Sequence, residues 1–285
     1  MNTLGVLANC GKHHAAAVLE RLRVKAAALG VKLIPDKATA KLMGLPCEET
    51  GAALVEHCDA MIVLGGDGSM LRAVRELNGR DIPLIGVNLG ALGFLTSVTE
   101  GDLERALDCL VRTDYTTSTR VIMDAEVRRC GQVLGTYCAL NDAVVKSVRS
   151  RVVSLRMQVD GQEVGDFVCD GLIVSTPTGS TGYSLSAGGP VLMPSAQALV
   201  VSLICPHTLS TRPLVLPHES TVEITVIERS KEAELSIDGQ VGQRLETGDV
   251  VTVRRSARSA RFIHLPGYDY FSVLRQKLHW RGSNV

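Results

Sequence analysis

The stretch MIVLGGDGSMLRA, residues 61–73, joins an apolar run to a helical segment through a turn of three glycines and one carboxylate. The run Met61–Leu64 has the composition of a buried strand, and residues 71–77 have a helical pattern. A glycine-rich turn between a parallel strand and a helix lets backbone N–H groups approach a phosphate, and the helix N-terminus adds a positive dipole. The candidate phosphate-binding residues are therefore Gly65, Gly66 and Gly68.

The acidic residue of this turn, Asp67, needs a separate explanation. A fixed negative charge beside phosphates is unfavourable unless it holds a metal ion or accepts a proton from an attacking hydroxyl. Asp67 therefore favours phosphate chemistry over simple phosphate binding. The alternative is a tight connection in which Asp67 or Ser69 caps the helix. Neither GxxxxGK[ST] nor a GxGxxG after the first strand is present to decide between them.

Around this turn, the first third of the chain alternates strand and helix patterns, which predicts a parallel sheet. The predicted strands are 4–7, 31–34, 61–64 and 82–87, and the predicted helices are 14–29, 69–78 and 102–112. After about residue 117 the pattern changes to short alternating strands with turns at 160–161, 238–239 and 247–249, which predicts antiparallel β structure. Residues 270–278 return to helical spacing.

We therefore expect two domains. The first is an α/β domain with a parallel, Rossmann-like sheet, made of residues 1–117 and about 266–285. The second is a β-rich, sandwich-like domain of residues 118–265. The last helix is expected to pack back on the first domain.

Composition excludes several classes of protein. The 285 residues carry 30 basic and 30 acidic side chains, so there is no basic footprint for a nucleic acid. No run approaches the roughly 18 apolar residues of a membrane span, and we expect a cytoplasmic protein. The eight cysteines lie singly, without a CxxC pair or matching histidines, so we predict buried thiols and no metal site built from His and Cys.

A second glycine-rich stretch, STPTGSTGYSLSAGGP at 175–190, follows the predicted strand 171–174. It holds seven Ser and Thr residues and four glycines in sixteen positions. Such a loop offers hydrogen-bond donors and accessible backbone, and Tyr183 offers a ring that can stack on a base. The alternative, a flexible linker, fits poorly with a Tyr, a Leu and two prolines inside a β domain.

Together these stretches resemble the bacterial-type NAD kinases, which transfer the γ-phosphate of ATP to the 2′-hydroxyl of the adenosine ribose of NAD. The matching segments are GGDGSMLRA at 65–73, NLGALGFLT at 88–96, LNDAVV at 140–145, the block DGLIVSTPTGSTGYSLSAGGP at 170–190 and PHTLSTRPLV at 206–215. They span both halves of the chain. GGDG is shared with 6-phosphofructokinases and diacylglycerol kinases, whereas the long block is specific.

The resemblance implies roles for individual residues. Asp67 matches the family's general base, and Asn141 and Asp142 match a pair that contacts the adenine and ribose of NAD. Arg72 and Arg151 are placed near phosphates. The remaining implied dinucleotide-contacting positions are Asp170, Thr178, Thr181, Gly182, Tyr183, Ser184, Leu185, Ser186 and Gln240. For Asn141–Asp142 and for Arg151, an ordinary β-turn and a solvated strand end are the alternatives.

The resemblance also implies a divalent cation such as Mg²⁺ with ATP, NAD across the domain cleft, and a homodimer or homotetramer whose sites a neighbouring subunit completes. The family usually has Ala where Gly182 stands and a basic or polar residue where Ala91 stands. Neither departure removes a reacting group, so they bear on substrate affinity more than on catalysis. The alternatives are a kinase resembling 6-phosphofructokinase or diacylglycerol kinase, or a non-catalytic dinucleotide sensor. Retention of Asp67 argues against the sensor.

Overall fold

The computed structural model describes residues 1–45, 58–90, 93–148, 152–208, 210–227 and 233–280. The helices are α1 (Ala15–Leu29), α2 (Lys37–Met43), α3 (Asp67–Leu77), α4 (Leu103–Arg112), α5 (Tyr183–Ser186) and α6 (Tyr270–Lys277). The first nine strands are β1 (Thr3–Ala8), β2 (Lys32–Pro35), β3 (Ala60–Gly65), β4 (Leu84–Asn88), β5 (Val98–Thr99), β6 (Thr116–Arg129), β7 (Gln132–Ala139), β8 (Asp142–Ser147) and β9 (Val153–Val159). The others are β10 (Gln162–Cys169), β11 (Gly171–Ser175), β12 (Ala198–Ile204), β13 (Leu214–Pro217), β14 (Val222–Val226), β15 (Ala233–Ile237), β16 (Val241–Leu245) and β17 (Val250–His264).

The chain divides into two compact units, one of residues 1–119 and 260–285 and the other of residues 120–259. In the first unit the parallel strands lie in the order β2-β1-β3-β4, and the end of β17 pairs with β4. The predicted parallel sheet is confirmed. α6 belongs to the same unit and buries Val273 and Leu274, as expected for the last helix.

Apolar side chains decide which helices cover this sheet. Ile85 and Val87 belong to one core with the buried residues of α1 and α4. Gly86 points to the opposite face, where an added Cβ would lie 2.8 Å from the sulfur of Met70 in α3. Helices therefore cover both faces, and the polar loops gather at the strand ends.

The strand order places a switch point between β1 and β3. After β1 the chain turns to β2 on one side, while β3 lies on the other side and leads on to β4. The connections after β1 and β3 therefore leave the carboxyl edge in opposite directions. In open sheets of this type, ligands bind in the crevice at that point.

The second unit is an antiparallel β-sandwich. One sheet contains β10-β9-β14-β17, the other has the order β13-β12-β11-β8-β15-β16, and β6 pairs with β7. Alternate residues of both sheets, such as Leu155, Ile224, Val145 and Leu235, share one core. The alternation read from the sequence is thus confirmed, and the predicted strand at 171–174 is β11, separated from β10 at Asp170.

The prediction of buried thiols is largely wrong. Of the seven described cysteines only Cys109 and Cys169 are buried, and Cys10, Cys130 and Cys205 are exposed. Cysteines in turns, such as Cys130 and Cys205, follow the exposure of the turn and not the preference of the residue type.

Candidate active site

The GGDG turn lies at the carboxyl edge of the parallel sheet. β3 ends at Gly65 and α3 begins at Asp67, two residues earlier than predicted. Gly65 permits close packing, because an added Cβ would lie 2.2 Å from the Ser69 hydroxyl. Gly66 is the N-cap residue and α3 has no side-chain cap, so neither Asp67 nor Ser69 caps the helix.

The Asp67 carboxylate instead holds a neighbouring loop. Its two oxygens accept hydrogen bonds from the backbone N–H groups of Phe94 and Leu95, each at 2.9 Å. A Cβ on Gly93 would lie 1.9 Å from Asp67 Oδ1, so only glycine allows this approach. The sequence reasoning missed this contact. Its signal was the pair of glycines in NLGALGFLT, which leave room for a close approach of backbone to a side chain.

Arg72 lies one turn further along α3. Its guanidinium contacts Asp36 at 2.6 Å and Glu76 at 2.7 Å. Asp36 is buried and also caps α2 through the backbone N–H of Thr39. The resemblance predicts that Arg72 lies near phosphates, and any such contact would compete with these two carboxylates.

A cavity of about 400 Å³ lies at the same edge, beside the end of β4. Its lining residues are His14, Asn88, Gly90, Thr99, Glu100 and Gly101. The Glu100 carboxylate contacts Arg21 at 3.4 Å and His14 at 3.3 Å, and Arg21 is shared with Glu104 at 2.9 Å.

In the second unit, Asn141 and Asp142 are held by the turn that contains Asp238. The carboxylate of Asp238 accepts the backbone N–H groups of Leu140, Asn141 and Asp142 at 2.7–3.0 Å. Asp238 returns its own N–H to the Asp142 carbonyl at 2.9 Å. This exchange fixes the Asn–Asp pair at the start of β8, where the sequence predicted only an Asp-Gly turn at 238–239.

The Asp142 side chain is buried, with 6% of its surface exposed. Burial, followed by the negative charge of Asp238, raises the pKa of the Asp142 carboxyl to about 7. Removal from water disfavours the charged form, and a second carboxylate disfavours it further. Asp142 can therefore either donate or accept a hydrogen bond near neutral pH.

Most hydroxyls of the Ser/Thr-rich loop are used inside the protein. The Thr176 hydroxyl donates to the Leu140 carbonyl at 2.5 Å and accepts the Gly179 N–H at 3.1 Å. The Ser180 hydroxyl donates to the Pro177 carbonyl at 2.7 Å. A Cβ on Gly179 would lie 2.1 Å from the Asn141 carbonyl oxygen. The loop therefore packs closely against the backbone of Asn141. Its composition had predicted hydroxyl groups available to a ligand, whereas most of them bond within the protein.

A cavity of about 260 Å³ lies beside this loop. Its lining residues are Asn141, Asp142, Val144, Lys146, Gly182, Tyr183, Ser236, Asp238 and Gly239. Asn141 Oδ1 and Thr178 Oγ1 are buried and find no hydrogen-bond partner among the described residues. Buried polar atoms normally have a partner. Of these two residues, Asn141 lines the cavity and Thr178 does not. Tyr183 is 42% exposed, which leaves its ring open for stacking.

The other predicted residues take varied positions. Gly182 adjoins the cavity, and a Cβ there would meet the Gly179 carbonyl oxygen at 3.2 Å. The Thr181 hydroxyl lies 3.4 Å from the Thr178 carbonyl, and the Ser184 hydroxyl turns inward to Ser202 at 3.1 Å. Leu185 is half-buried and Ser186 is exposed. Gln240 lines a second cavity of about 520 Å³ over β15 and β16.

Asp170 is separated from this group, and Arg151 lies outside the described residues. Asp170 sits before β11, while the Ser/Thr-rich loop follows it. Five strand residues put these ends roughly 16 Å apart. Within one chain the structure does not bring Asp170 to Asn141 and Thr178.

The described residues contain no group of three or more His, Cys, Asp or Glu side chains placed to hold a metal ion. None of their helices is long and apolar enough to cross a bilayer.

Comparison with known families finds two matches that together cover most of the chain. Residues 4–115 match the ATP-NAD kinase N-terminal domain, and residues 140–265 match the ATP-NAD kinase C-terminal domain. The NAD kinase of Syntrophotalea carbinolica is 39% identical over 283 residues, which cover 98% of this chain and 99% of that protein. The NAD kinase of Geobacter metallireducens is 44% identical over 232 residues, which cover 81% of this chain and 82% of that one.

Solved structures agree. A crystal structure of an NAD kinase from Archaeoglobus fulgidus in complex with ATP is 26% identical, with a TM-score of 0.75 over 98% of this chain and 100% of that one. Yeast NADH kinase complexed with NADH, at 23% identity, has a TM-score of 0.91 over 99% of this chain and 89% of that chain and shows the shared fold. The resemblance stated from the sequence motifs is confirmed: the chain belongs to the NAD kinase family.

Proposed function

We propose that this chain transfers the γ-phosphate of ATP to the 2′-hydroxyl of the adenosine ribose of NAD, giving NADP and ADP. The proposal is carried by two features of a member of this family: the Asp67 carboxylate at the head of α3, and a cavity lined by Asn141, whose buried Oδ1 has no partner among the described residues. The first feature suits hydroxyl activation at a phosphate site, and the second suits a nucleoside.

Asp67 is the residue we propose as general base. The 2′-hydroxyl gives its proton to the Asp67 carboxylate, its oxygen bonds to the γ-phosphorus, and the bond from that phosphorus to the β–γ bridging oxygen breaks as ADP leaves. Each Asp67 oxygen accepts one backbone N–H, which leaves a second lone pair on each oxygen for the substrate. The two N–H groups of the 94–95 loop fix the orientation of the carboxylate and limit its rotation.

The second unit supplies the dinucleotide contacts. We propose that Asn141 Oδ1 accepts a hydrogen bond from the exocyclic amino group of adenine and that Tyr183 stacks on the base. Thr178 Oγ1 and the Asp142 carboxyl are available to ribose hydroxyls. The alternative that Asn141–Asp142 is only a β-turn is disfavoured, because an ordinary turn does not need a buried amide oxygen without a partner.

The residues present fit a divalent cation that arrives with the donor. The described residues offer no three-ligand cluster, and Mg²⁺ in phosphotransferases is commonly held by one or two carboxylates together with substrate phosphates. Asp67 is the carboxylate of the GGDG turn that would share such an ion with ATP. When bound, Mg²⁺ would neutralise charge on the transferred phosphoryl group.

We also propose a homodimer or homotetramer and a cytoplasmic location. Asp170 lies at the opposite end of β11 from the Ser/Thr-rich loop, so it can contact the dinucleotide of a neighbouring site if a second copy presents it. Edge strand β13 exposes Leu214 and Val215, which is the kind of apolar surface that a second copy covers. The seven described cysteines are free thiols, as is usual in a reducing compartment.

The test offers purified protein ATP and Mg²⁺ with NAD, fructose 6-phosphate or diacylglycerol in separate reactions. We expect only NAD to be phosphorylated, giving a product that an NADP-specific dehydrogenase accepts. Labelled phosphate on either other acceptor, with no NADP above background, would refute the proposal.

A further inference from the structure

The loop between β1 and α1 lies beside the GGDG turn and has no role in the mechanism above. The Asn9 N–H donates to the Leu64 carbonyl at 2.8 Å, which ties the loop to the end of β3. The Gly11 N–H donates to Asn9 Oδ1 and the Lys12 N–H donates to the Asn9 carbonyl, both at 3.1 Å. These bonds set the backbone from which the Lys12 side chain extends.

Lys12 reaches from this loop toward the end of β4. Its ammonium Nζ lies 3.9 Å from the position that a Cβ on Gly90 would occupy. Gly90 lines the 400 Å³ cavity, so the ammonium lies close to one of the residues of its lining. The side chain therefore spans the carboxyl edge of the sheet at the switch point, where a ligand of an open α/β sheet binds.

The charges nearby leave Lys12 as an uncompensated cation. Its ammonium has no carboxylate partner among the described residues, whereas Arg72 is held by Asp36 and Glu76 and Arg21 by Glu100 and Glu104. The first turn of α1 contains no acidic residue, and its N-cap makes no side-chain bond. The helix dipole adds to the positive potential that Lys12 creates.

We propose that Lys12 binds the phosphates of the donor and positions them for transfer. The inference rests on the proposed function and adds a donor-binding residue to it. A triphosphate lying against the GGDG turn carries several negative charges, and the Lys12 ammonium can reach it from the opposite side of the crevice. A flexible lysine suits this role because it acts as a point charge with three donors.

The test compares Lys12→Met and Lys12→Arg with Lys32→Met. Lys32 is an exposed lysine of the same sheet, but it starts β2 beside Thr3, at the amino edge, and serves as the matched control. Steady-state KM is measured separately for ATP and NAD, and ATP·Mg²⁺ binding is measured by calorimetry in the absence of NAD. Thermal melting verifies that each variant is folded.

We expect Lys12→Met to raise the KM and the dissociation constant for ATP about tenfold or more, the loss typical of one charge-assisted contact. KM for NAD should stay within about twofold of wild type, Lys12→Arg should recover part of the ATP affinity, and Lys32→Met should change neither constant. An ATP affinity in folded Lys12→Met equal to that of wild type would overturn the inference. Because calorimetry reads ATP binding without turnover, the test stands even if the wild-type protein fails to make NADP.

Discussion

The substitution Asp67→Asn separates the proton-accepting role of this side chain from its role in holding the 93–96 loop. Asp67 makes two charge-assisted bonds of 2.9 Å to backbone N–H groups. Asparagine keeps one neutral acceptor and turns an NH₂ group toward the second N–H. The loss of one bond to a charged group costs about 2 kcal/mol, reduced by the partial exposure of the site.

For a protein of this size, about 2 kcal/mol corresponds to a fall in melting temperature of roughly 3 °C. The variant should nevertheless remain folded at assay temperature. Its amide cannot take the proton of the 2′-hydroxyl, and removal of a general base commonly lowers turnover by about 10²–10⁴-fold. We therefore expect a modest loss of stability together with a large loss of kcat and nearly unchanged NAD affinity by calorimetry.

The control is Thr96→Val, which loosens the same loop without touching the carboxylate. The Thr96 hydroxyl is buried, accepts the Gly93 N–H at 3.1 Å and accepts the Asn88 amide at 2.9 Å. Valine has a similar shape but removes the hydroxyl that accepts both bonds, at a cost of about 1–3 kcal/mol. Thr96→Val should lose as much stability as Asp67→Asn and less than about tenfold in kcat. If both variants lose kcat equally, Asp67 is a loop anchor and the general-base assignment fails.

Three further outcomes follow from the second unit. Since the Asp142 pKa is about 7 in the folded protein and about 4 in the unfolded chain, the folded state binds the extra proton and loses stability as pH rises through this window. The difference in unfolding free energy between Asp142→Asn and wild type should therefore change by about 2–3 kcal/mol in favour of the variant as pH rises from 5 to 8. A pH-independent difference in melting temperature would contradict the raised pKa. Asn141→Ala and Tyr183→Ala should each raise KM for NAD by a factor equivalent to about 1–3 kcal/mol, with KM for ATP unchanged, and an effect on kcat alone would argue against binding roles. The Cβ of Gly179→Ala would lie 2.1 Å from the Asn141 carbonyl oxygen, so this variant should have a melting temperature several degrees below that of wild type. The nearest atom to the Cβ of Gly182→Ala lies at 3.2 Å, so that variant should melt near wild type. Equal melting temperatures of the two variants would show that the 175–190 loop moves freely.

The sequence alone determined the family and most elements of the first domain, although it missed α2 (Lys37–Met43). Hydrophobic periodicity is a local property, so the strand at 60–65, the helix after it and the alternating strands of the second half could be predicted within a few residues. The GGDG turn and the 170–190 block are also local, and the resemblance to the NAD kinases rests on such continuous segments.

Only the tertiary structure decided what the polar groups contact. The Asp67 carboxylate meets the amides of residues 94–95, twenty-seven and twenty-eight positions away, and Asp238 receives the amides of 140–142 from almost a hundred positions away. No periodicity encodes such pairings, because they depend on which strand ends the sheets bring together. For the same reason the composition of the 175–190 loop predicted open hydroxyls, although packing against Asn141 turns most of them inward and leaves Thr178 Oγ1 without a partner among the described residues.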